Sequence, residues 1–495
     1  MREISRKVNS FSIFVVVAGA VTLSYMLLFR PITYEAQGDF PAYLDLARQI
    51  FHLPGASDTD LTHRSPLYSI VLGLFLLVFG EPHYMNALLV LQYALIFASS
   101  LLIYRITRRL TESNMAAMIA GMAGIFNLTV IFFGFMILSE TLALFLFTLM
   151  AWLLLRHYRD GSPWMVTFAG LTAGMLILTR FNMIGIPVVV VALLIVTAAV
   201  DGRRVRLPRV FGSISLFIAG VVFTTGLWAL RNYIIFDRFE LIPKHHTGQR
   251  WAVPATIDES NTVSVEYSRV HEIFLNTRQE LLEKERSKVY RKSSLLEHGL
   301  IRKINDSYRP EVSGYFMYRD SEEELLAWYG LEKNPDGIRK LSGKLKPYYE
   351  EIALQNRSKI NRLRVYSFLY SFKHISPTLP MKEPVNLNVL PSFILKTYKI
   401  LFILMVVLTY SGSVVHMIWM IIRRGRLRRA LPWLMMYGLI WYFPLANTYA
   451  NVLGDANRFR YPADMVLIGL FISNLFLMLK GRVLVSRFGS SRTKY

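Results

Sequence analysis

The 41 residues from Met115 to Leu155 contain one charged side chain, Glu140, and the 37 residues from Trp164 to Val200 contain one, Arg180. Blocks of roughly 18 or more apolar residues with few charges read as membrane-spanning helices. Each of these two blocks is too long for one crossing, so each is a hairpin with its single charge near the turn. The rest of the chain fits the same solvent. Of its 495 residues 53% are hydrophobic, and the mean hydropathy is +0.35. That is too apolar for an ordinary soluble protein of this size.

Candidate spans are 11–29, 85–104, 115–133, 138–155, 164–179, 182–200, 211–230, 394–422, 431–449 and 463–479. The expected fold class is therefore an all-α polytopic membrane protein of about ten transmembrane helices. The first block, Phe11 to Phe29, follows Arg2, Arg6 and Lys7. It is about long enough to span and reads as an uncleaved anchor with the N-terminus inside. A further block, Leu67 to Gly80, has 14 residues and is bounded by Pro66 and by Gly80-Glu81-Pro82. As a helix it reaches about 21 Å, short of a hydrocarbon core of about 30 Å, so it reads as an interfacial or re-entrant helix.

Charge placement tests that choice. The net charge is +22. It is not spread as a nucleic-acid surface would be, since much of it falls in short loops between apolar blocks. With ten spans the inner loops hold Arg105, Arg108 and Arg109, then Arg156 and Arg159, then Arg203, Arg204, Arg206 and Arg209, then Arg423 to Arg429, and the basic tail from Lys480. This is the positive-inside pattern, with both termini cytoplasmic. Counting 67–80 as a crossing would put most of these arginines outside. The expected location is the inner (plasma) membrane of a bacterial cell. There is no cysteine, which removes disulfides, thiol nucleophiles and zinc-thiolate sites.

Two outer segments are large: 30–84, and 231 to about 393. The second is rich in Lys, Arg, Glu and Tyr and is expected to be mostly helical. Ser321-Glu322-Glu323-Glu324 before Leu325-Leu326 is a capping-box pattern, and Leu341–Phe372 has the pattern of one long amphipathic helix. No repeat of 20–50 residues is present, nor paired interrupted spans of the transporter kind. The expected division is a membrane module over 1–235 with first outer loop 30–84, an outer insert over 236–392, and C-terminal membrane helices with a basic tail over 393–495.

Charges at helix ends then need reasons. Ionisable groups at membrane depth usually face a bundle interior or a wet cavity, and Glu140 and Arg180 both fall at outer turns; the alternative is that they mark turns in water. Arg231-Asn232 closes the seventh span, where a snorkelling anchor is the alternative. Asp455-Ala456-Asn457-Arg458-Phe459-Arg460-Tyr461-Pro462 puts two arginines in an outer loop, against the positive-inside trend. Guanidinium forks match phosphate oxygens; a local pair with Asp455 or Asp464 is the alternative. In the first outer loop, apolar residues at 40, 43, 44, 46, 47 and 50 predict a short interfacial helix. Asp39 would sit at its N-terminus, where a plain N-cap is the alternative.

The order of these features resembles a family. Gly38-Asp39-x-x-x-Tyr43-Leu44 after the first span comes first, then Arg64-x-Pro66-Leu67-Tyr68 before a short helix, then Leu138-Ser139-Glu140 at an outer turn. Leu178-Thr179-Arg180, Trp228-Ala229-Leu230-Arg231-Asn232 and Arg458-Phe459-Arg460-Tyr461 complete the set. Together they resemble the GT-C superfamily of membrane glycosyltransferases, in the branch of protein-mannosyltransferase and aminoarabinose-transferase-like enzymes. The resemblance covers roughly 1–235 and the last pair of spans; the outer insert matches no pattern.

The resemblance implies a glycosyltransferase that moves a sugar from a polyprenyl-phosphate carrier to an acceptor with inversion. It places the catalytic acid at Asp39, with Asp45 as second choice should Asp39 be a plain N-cap; many relatives carry a second acid close to the catalytic one, whereas here Asp45 lies six positions on and Glu35 four positions before. Such an enzyme needs cations at the leaving phosphate; the candidates are Arg458 and Arg460 first, then Arg231, Arg180 and Arg64. Glu140, Tyr43, Tyr68 and Tyr461 are the candidates for substrate contact. No cofactor is certain; some branches use a divalent cation and others do not, and Glu140 would either orient the site or hold such a cation. The expected partners are the lipid-linked sugar donor, a glycan, lipid or protein acceptor, and membrane lipids, with no nucleic acid. His245-His246 read as surface histidines or as servants of the site. A transporter or flippase of a lipid-linked glycan is the alternative function, and a non-catalytic scaffold a third.

Overall fold

The computed structural model describes residues 10–28, 39–56, 64–201, 207–237, 239, 241, 253–287, 314–372, 392–422, 427–450 and 460–489. The regular elements are helices. α1 (Ser10–Leu28) precedes two short helices, α2 (Phe40–Phe51) and α3 (Pro66–Phe79). The membrane module continues with α4 (Tyr84–Thr111), α5 (Asn114–Ile125), α6 (Leu128–Phe135), α7 (Glu140–Asp160), α8 (Pro163–Thr179), α9 (Ile186–Asp201) and α10 (Leu207–Phe236). The insert supplies α11 (Ser268–Ser287), α12 (Gly314–Trp328), α13 (Pro335–Gln355) and α14 (Arg357–Tyr370). The chain returns to apolar helices with α15 (Ser392–Ile422), α16 (Leu427–Ala450) and α17 (Asp464–Gly489).

This is an all-helical, multi-pass membrane protein. Among the described residues seven helical segments are long and apolar enough to cross a bilayer, and the bent pair α5–α6 makes an eighth if it is one span. The two remaining expected spans correspond to α8, which is apolar but only 17 residues long, and to α16. Leu67–Gly80 becomes α3, 14 residues that begin at Pro66 and end at a left-handed Gly80 with φ +65°. That length stays near 21 Å, about two thirds of the hydrocarbon thickness.

Three elements differ in detail from the sequence reading. The span 115–133 is broken: α5 and α6 meet at 47°. Asn127 makes the break, because its side-chain oxygen accepts from the backbone N–H of Thr129 and Val130 at 2.9 and 3.1 Å and so caps a new helix. Ser321 is not a cap. It lies inside α12, buried, and its hydroxyl donates back to the Met317 carbonyl at 2.7 Å. The long helix expected over 341–372 is divided at Asn356, where α13 ends and α14 starts.

The insert has its own apolar core. Val270, Ile273 and Phe274 of α11 meet Leu325 and Leu326 of α12 and Leu341, Leu345, Tyr348 and Ile352 of α13. Phe274 and Tyr348 stack with ring planes 2° apart, and His271 Nδ1 is hydrogen bonded to the Tyr348 hydroxyl at 2.9 Å. Burial lowers the His271 pKa from its ordinary range. α14 leaves this core and packs on α16, so the end of the insert is anchored in the membrane module.

α8 and α10 pack more closely than ordinary side chains permit. A Cβ added at Gly170 would lie 2.1 Å from the Phe217 carbonyl oxygen, and one at Gly174 would lie 1.6 Å from Thr224 Oγ1. Small residues let helix backbones approach in a bilayer, where no hydrophobic effect drives helices together. The pairings 170 with 217 and 174 with 221 and 224 rise together, so the two helices run in the same direction. Gly170→Ala is expected to destabilise the bundle by about 1–3 kcal/mol through overpacking. Gly212→Ala, where nothing lies within 4 Å, serves as the neutral control. Thermal denaturation of the two variants in detergent measures the difference.

Candidate active site

α2 begins where Pro41 can occupy the first turn without losing a hydrogen bond. Asp39 stands at the N-cap position, yet its side chain makes no capping bond. Its Oδ1 instead accepts from Arg64 Nη1 at 2.7 Å, with both side chains 26% exposed. The N-cap alternative therefore does not describe what this carboxylate does. Arg64 is set by the start of α3: the next residue, Ser65, is in extended backbone, and Pro66 opens the helix. The Ser65 hydroxyl accepts from the Phe181 backbone N–H at 3.1 Å, which ties this corner to the turn after α8.

That turn carries Arg180, the C-cap residue of α8 in extended backbone. Its Nη1 lies 2.9 Å from Glu140 Oε1; Arg180 is 8% exposed and Glu140 not at all. The two isolated charges of the two apolar blocks are thus partners of one buried ion pair. Taking two charges out of water is compensated only by good mutual geometry. The pair consequently fixes the start of α7 against the end of α8.

Tyr43 joins the Asp39 corner to the Glu140 corner. One turn along α2 from Asp39, its hydroxyl is hydrogen bonded to Ser139 Oγ at 3.1 Å. Its ring meets Tyr68 edge-on, with centroids 5.3 Å apart. Burial pushes the Tyr43 phenol up, the Asp39 and Glu140 carboxylates add to this, and Arg180 opposes it. The phenol therefore stays protonated at neutral pH. Tyr68 donates to Gln92 Oε1 at 3.4 Å, and the Gln92 amide donates to the carbonyls of Gly134 and Met136 at 3.0 and 2.9 Å. Gln92 thereby holds the backbone that leads from α6 into the Ser139–Glu140 turn.

Arg460 and Tyr461 approach from the C-terminal helices. The Tyr461 ring lies 4.5 Å from Phe133, and its hydroxyl is within electrostatic range of Glu140 and Asp464. Arg460 is fully buried. Its Nε donates to Asp464 Oδ1 at 2.9 Å, its Nη1 to the Ser371 carbonyl, and its guanidinium stands 5.5 Å from the centroid of Phe402. The local pair with Asp464 is what this arginine makes. Ser371 Oγ also accepts from Asn447 at 2.9 Å, so Arg460 and Asn447 together hold the end of the insert. Arg231 lies at the end of α10, its Nη1 donating to Asn232 Oδ1 at 3.1 Å and its guanidinium 4.7 Å from the centroid of Trp228.

The structure therefore brings Asp39, Arg64, Tyr43, Tyr68, Glu140, Arg180 and Tyr461 into one connected region. Arg460 is held below it by Asp464, and Arg231 stands at the end of a neighbouring helix. Asp45, six residues along α2, falls about 120° round the helix and about 9 Å along it from Asp39, away from the side that meets Arg64 and Tyr43. Arg458 lies outside the described residues, as do His245 and His246. Among the described residues no three His, Asp or Glu side chains converge. Asp39 and Glu140 each face a guanidinium instead, so the described donor set does not fit a divalent cation.

Three contributors escaped the sequence reading: Ser65, Gln92 and Ser139. Gln92 had a signal, being the one amide in the apolar run 85–98 apart from Asn86, and polar groups within a span generally have partners. Ser65 and Ser139 stood inside quoted motifs, but a serine beside a proline or a glutamate has no distinguishing pattern.

Residues 63–228 match the family model of dolichyl-phosphate-mannose-protein mannosyltransferase. The matched segment holds Arg64, Tyr68, Glu140 and Arg180 and stops at Trp228. No curated protein sequence matches the chain. Among solved structures, the chain is similar to the oligosaccharyltransferase AglB of Archaeoglobus fulgidus, in complex with an inhibitory peptide and a dolichol-phosphate. Identity there is 13% and the TM-score 0.45, over 97% of this chain and 52% of that one. The chain thus spans about half the length of that enzyme. It is also similar to ArnT of Cupriavidus metallidurans bound to undecaprenyl phosphate, at 15% identity and a TM-score of 0.36, over 94% of this chain and 77% of that one.

The buried pair makes a stability prediction. Glu140→Gln leaves Arg180 without its counter-charge and is expected to cost about 3–5 kcal/mol. Adding Arg180→Met should restore much of that loss. Detergent melting curves of the single and double variants measure both.

Proposed function

We propose that the chain is an inverting glycosyltransferase. In this reading it moves a sugar from a polyprenyl-phosphate carrier to a hydroxyl acceptor at the extracytoplasmic face of a bacterial inner membrane, with both termini cytoplasmic. The observation that carries it is the meeting of Asp39–Arg64, Glu140–Arg180 and the Tyr43 phenol, drawn from four separate stretches of sequence. The match of residues 63–228 to the mannosyltransferase model supports the same chemistry.

The acceptor hydroxyl attacks the anomeric carbon as the bond from that carbon to the phosphate oxygen breaks. The oxygen keeps the bonding pair, and the acceptor proton goes to the Asp39 carboxylate. A positioned carboxylate of this kind contributes about 10²–10⁴-fold. Single displacement from the far side inverts the centre. Asp39 suits the role because it is partly open to incoming hydroxyls while Arg64 fixes its direction. Negative charge develops on the departing phosphate, and fixed cations stabilise it without reorganising. Arg64, Arg180, Arg231 and Arg458 are the proposed sources. The protonated Tyr43, with Tyr68 and Tyr461, would contact the sugar. Arg460 and Glu140, both fully buried in ion pairs, act in this reading by holding the site's walls.

Residues 1–235 and 393–495 form the proposed catalytic membrane module. The insert 236–392, anchored through Ser371, would select a glycan, lipid or protein acceptor, since loops on a rigid scaffold carry specificity. The bend between α5 and α6 is the feature that favours a transporter of lipid-linked glycan instead. Against that, the buried ion pairs sit at helix ends and line no path through the helices.

Asp39→Asn is expected to lower sugar transfer at least about a hundredfold while expression and melting temperature hold. The assay is transfer of radiolabelled sugar from a polyprenyl-phosphate donor in proteoliposomes. Full activity in Asp39→Asn removes Asp39 as the base, and unaltered flux of intact donor across the bilayer in that variant would favour the transporter.

A further inference from the structure

Trp228 is 6% exposed, and its indole N–H is buried with no hydrogen-bond partner among the described residues. A buried donor without an acceptor typically costs about 1–3 kcal/mol, so its retention here asks for a partner. Its neighbour is suggestive. The Arg231 guanidinium stacks over the same ring, 4.7 Å from its centroid, and Asn232 steadies that guanidinium from a 6% exposed position.

The depth is informative as well. Contacts between α8 and α10 pair Gly170 with Phe217 and Gly174 with Val221 and Thr224, an offset of 47 to 50 positions. Carried to the end of α8, that offset sets Arg180 level with residues 227–230. The indole therefore lies at the depth of the Glu140–Arg180 pair.

Two properties decide the ligand's class. First, an indole N–H and a guanidinium are donor-only groups. They complement a ligand that only accepts, as phosphate oxygens do, better than a sugar hydroxyl that must also donate. Second, Phe223, Leu227, Leu230 and Ile234 follow one another at intervals of four, three and four along α10, so they form one stripe. They are 62%, 55%, 46% and 73% exposed. In a bilayer that stripe is open to lipid, and Arg231 falls beside it on the helix.

We infer that Trp228 and Arg231 form a phosphate-binding subsite for a prenyl-chain phosphate, with the indole N–H as its neutral donor and the α10 stripe as the bed for the chain. This rests on the reading of the protein as a user of polyprenyl-phosphate donors, and it names where the carrier's phosphate is held. The guanidinium supplies charge, while the indole supplies direction and cannot be replaced by a phenyl ring of similar character.

The test measures binding of three probes to the purified full chain in nanodiscs: a short-chain polyprenyl monophosphate, the corresponding prenol, and inorganic phosphate. The wild type should bind the prenyl phosphate, and Trp228→Phe should weaken it about tenfold. Leu230→Ser, on the exposed stripe, should weaken the prenyl phosphate and leave inorganic phosphate binding unchanged. With 5-fluorotryptophan in the wild type, the Trp228 resonance should shift on addition of prenyl phosphate but not of prenol. Equal binding by wild type and Trp228→Phe, or an unmoved Trp228 resonance under saturating prenyl phosphate, overturns the subsite and leaves the glycosyltransferase reading standing. Inorganic phosphate bound as tightly as prenyl phosphate overturns the stripe's part. Failure of the wild type to bind any polyprenyl phosphate overturns the donor reading itself.

Discussion

The ion pair between Glu140 and Arg180 organises the rest of the molecule. It lies where almost no water reaches, with Glu140 fully enclosed. Neither charge could stay buried alone, because an uncompensated charge in a low-dielectric region is far costlier than a pair. Each residue is the only charge of a hairpin of apolar helix. Forming the pair therefore fixes two hairpins against each other at one end, while leaving their helical surfaces free to pack by shape. The tight α8–α10 contact at Gly170 and Gly174 continues from that fixed point and sets the depth of everything carried on α10.

The segment carrying α2 and α3 is assembled on this platform. Tyr43 reaches Ser139, the residue before Glu140, and Ser65 receives the N–H of Phe181, the residue after Arg180. α2 and α3 are thus both bonded to the flanks of one ion pair. Asp39 and Arg64, which begin or precede those helices, are brought within 2.7 Å as a consequence. A partly exposed ion pair of this kind contributes little to stability by itself. It holds a carboxylate in a set direction at the rim of a buried, tyrosine-lined wall.

Most of this was legible as pattern and little of it as contact. The helices α2 and α3 follow from apolar spacing and from Pro66, and the shortness of α3 follows from counting residues against the bilayer. Glu140 and Arg180 could be singled out because a charge in 41 or 37 apolar residues is conspicuous. Their partnership could not be read, since pairing depends on how two hairpins stand in space. The break at Asn127 was hidden for a different reason. Asparagine is tolerated at many points of an apolar run, and only its capping bonds to Thr129 and Val130 reveal that a helix restarts there. Ser321 shows the converse: a capping-box pattern lay within a helix whose apolar face, closing on α11 and α13, mattered more than a local cap.

Arg460 shows how burial changes the meaning of a motif. Two arginines in a short outer loop suggest phosphate, yet this one is enclosed and engaged with Asp464, the Ser371 carbonyl and the face of Phe402. A guanidinium has five donors in a fixed plane, and here that fork joins three elements: α15, the start of α17 and the end of α14. Asn447 of α16 grips the same Ser371. The insert is therefore mechanically continuous with the helix that begins at Asp464, one residue beyond Tyr461 to Ala463. Tyr461 in turn faces Phe133 at the edge of the Glu140 region.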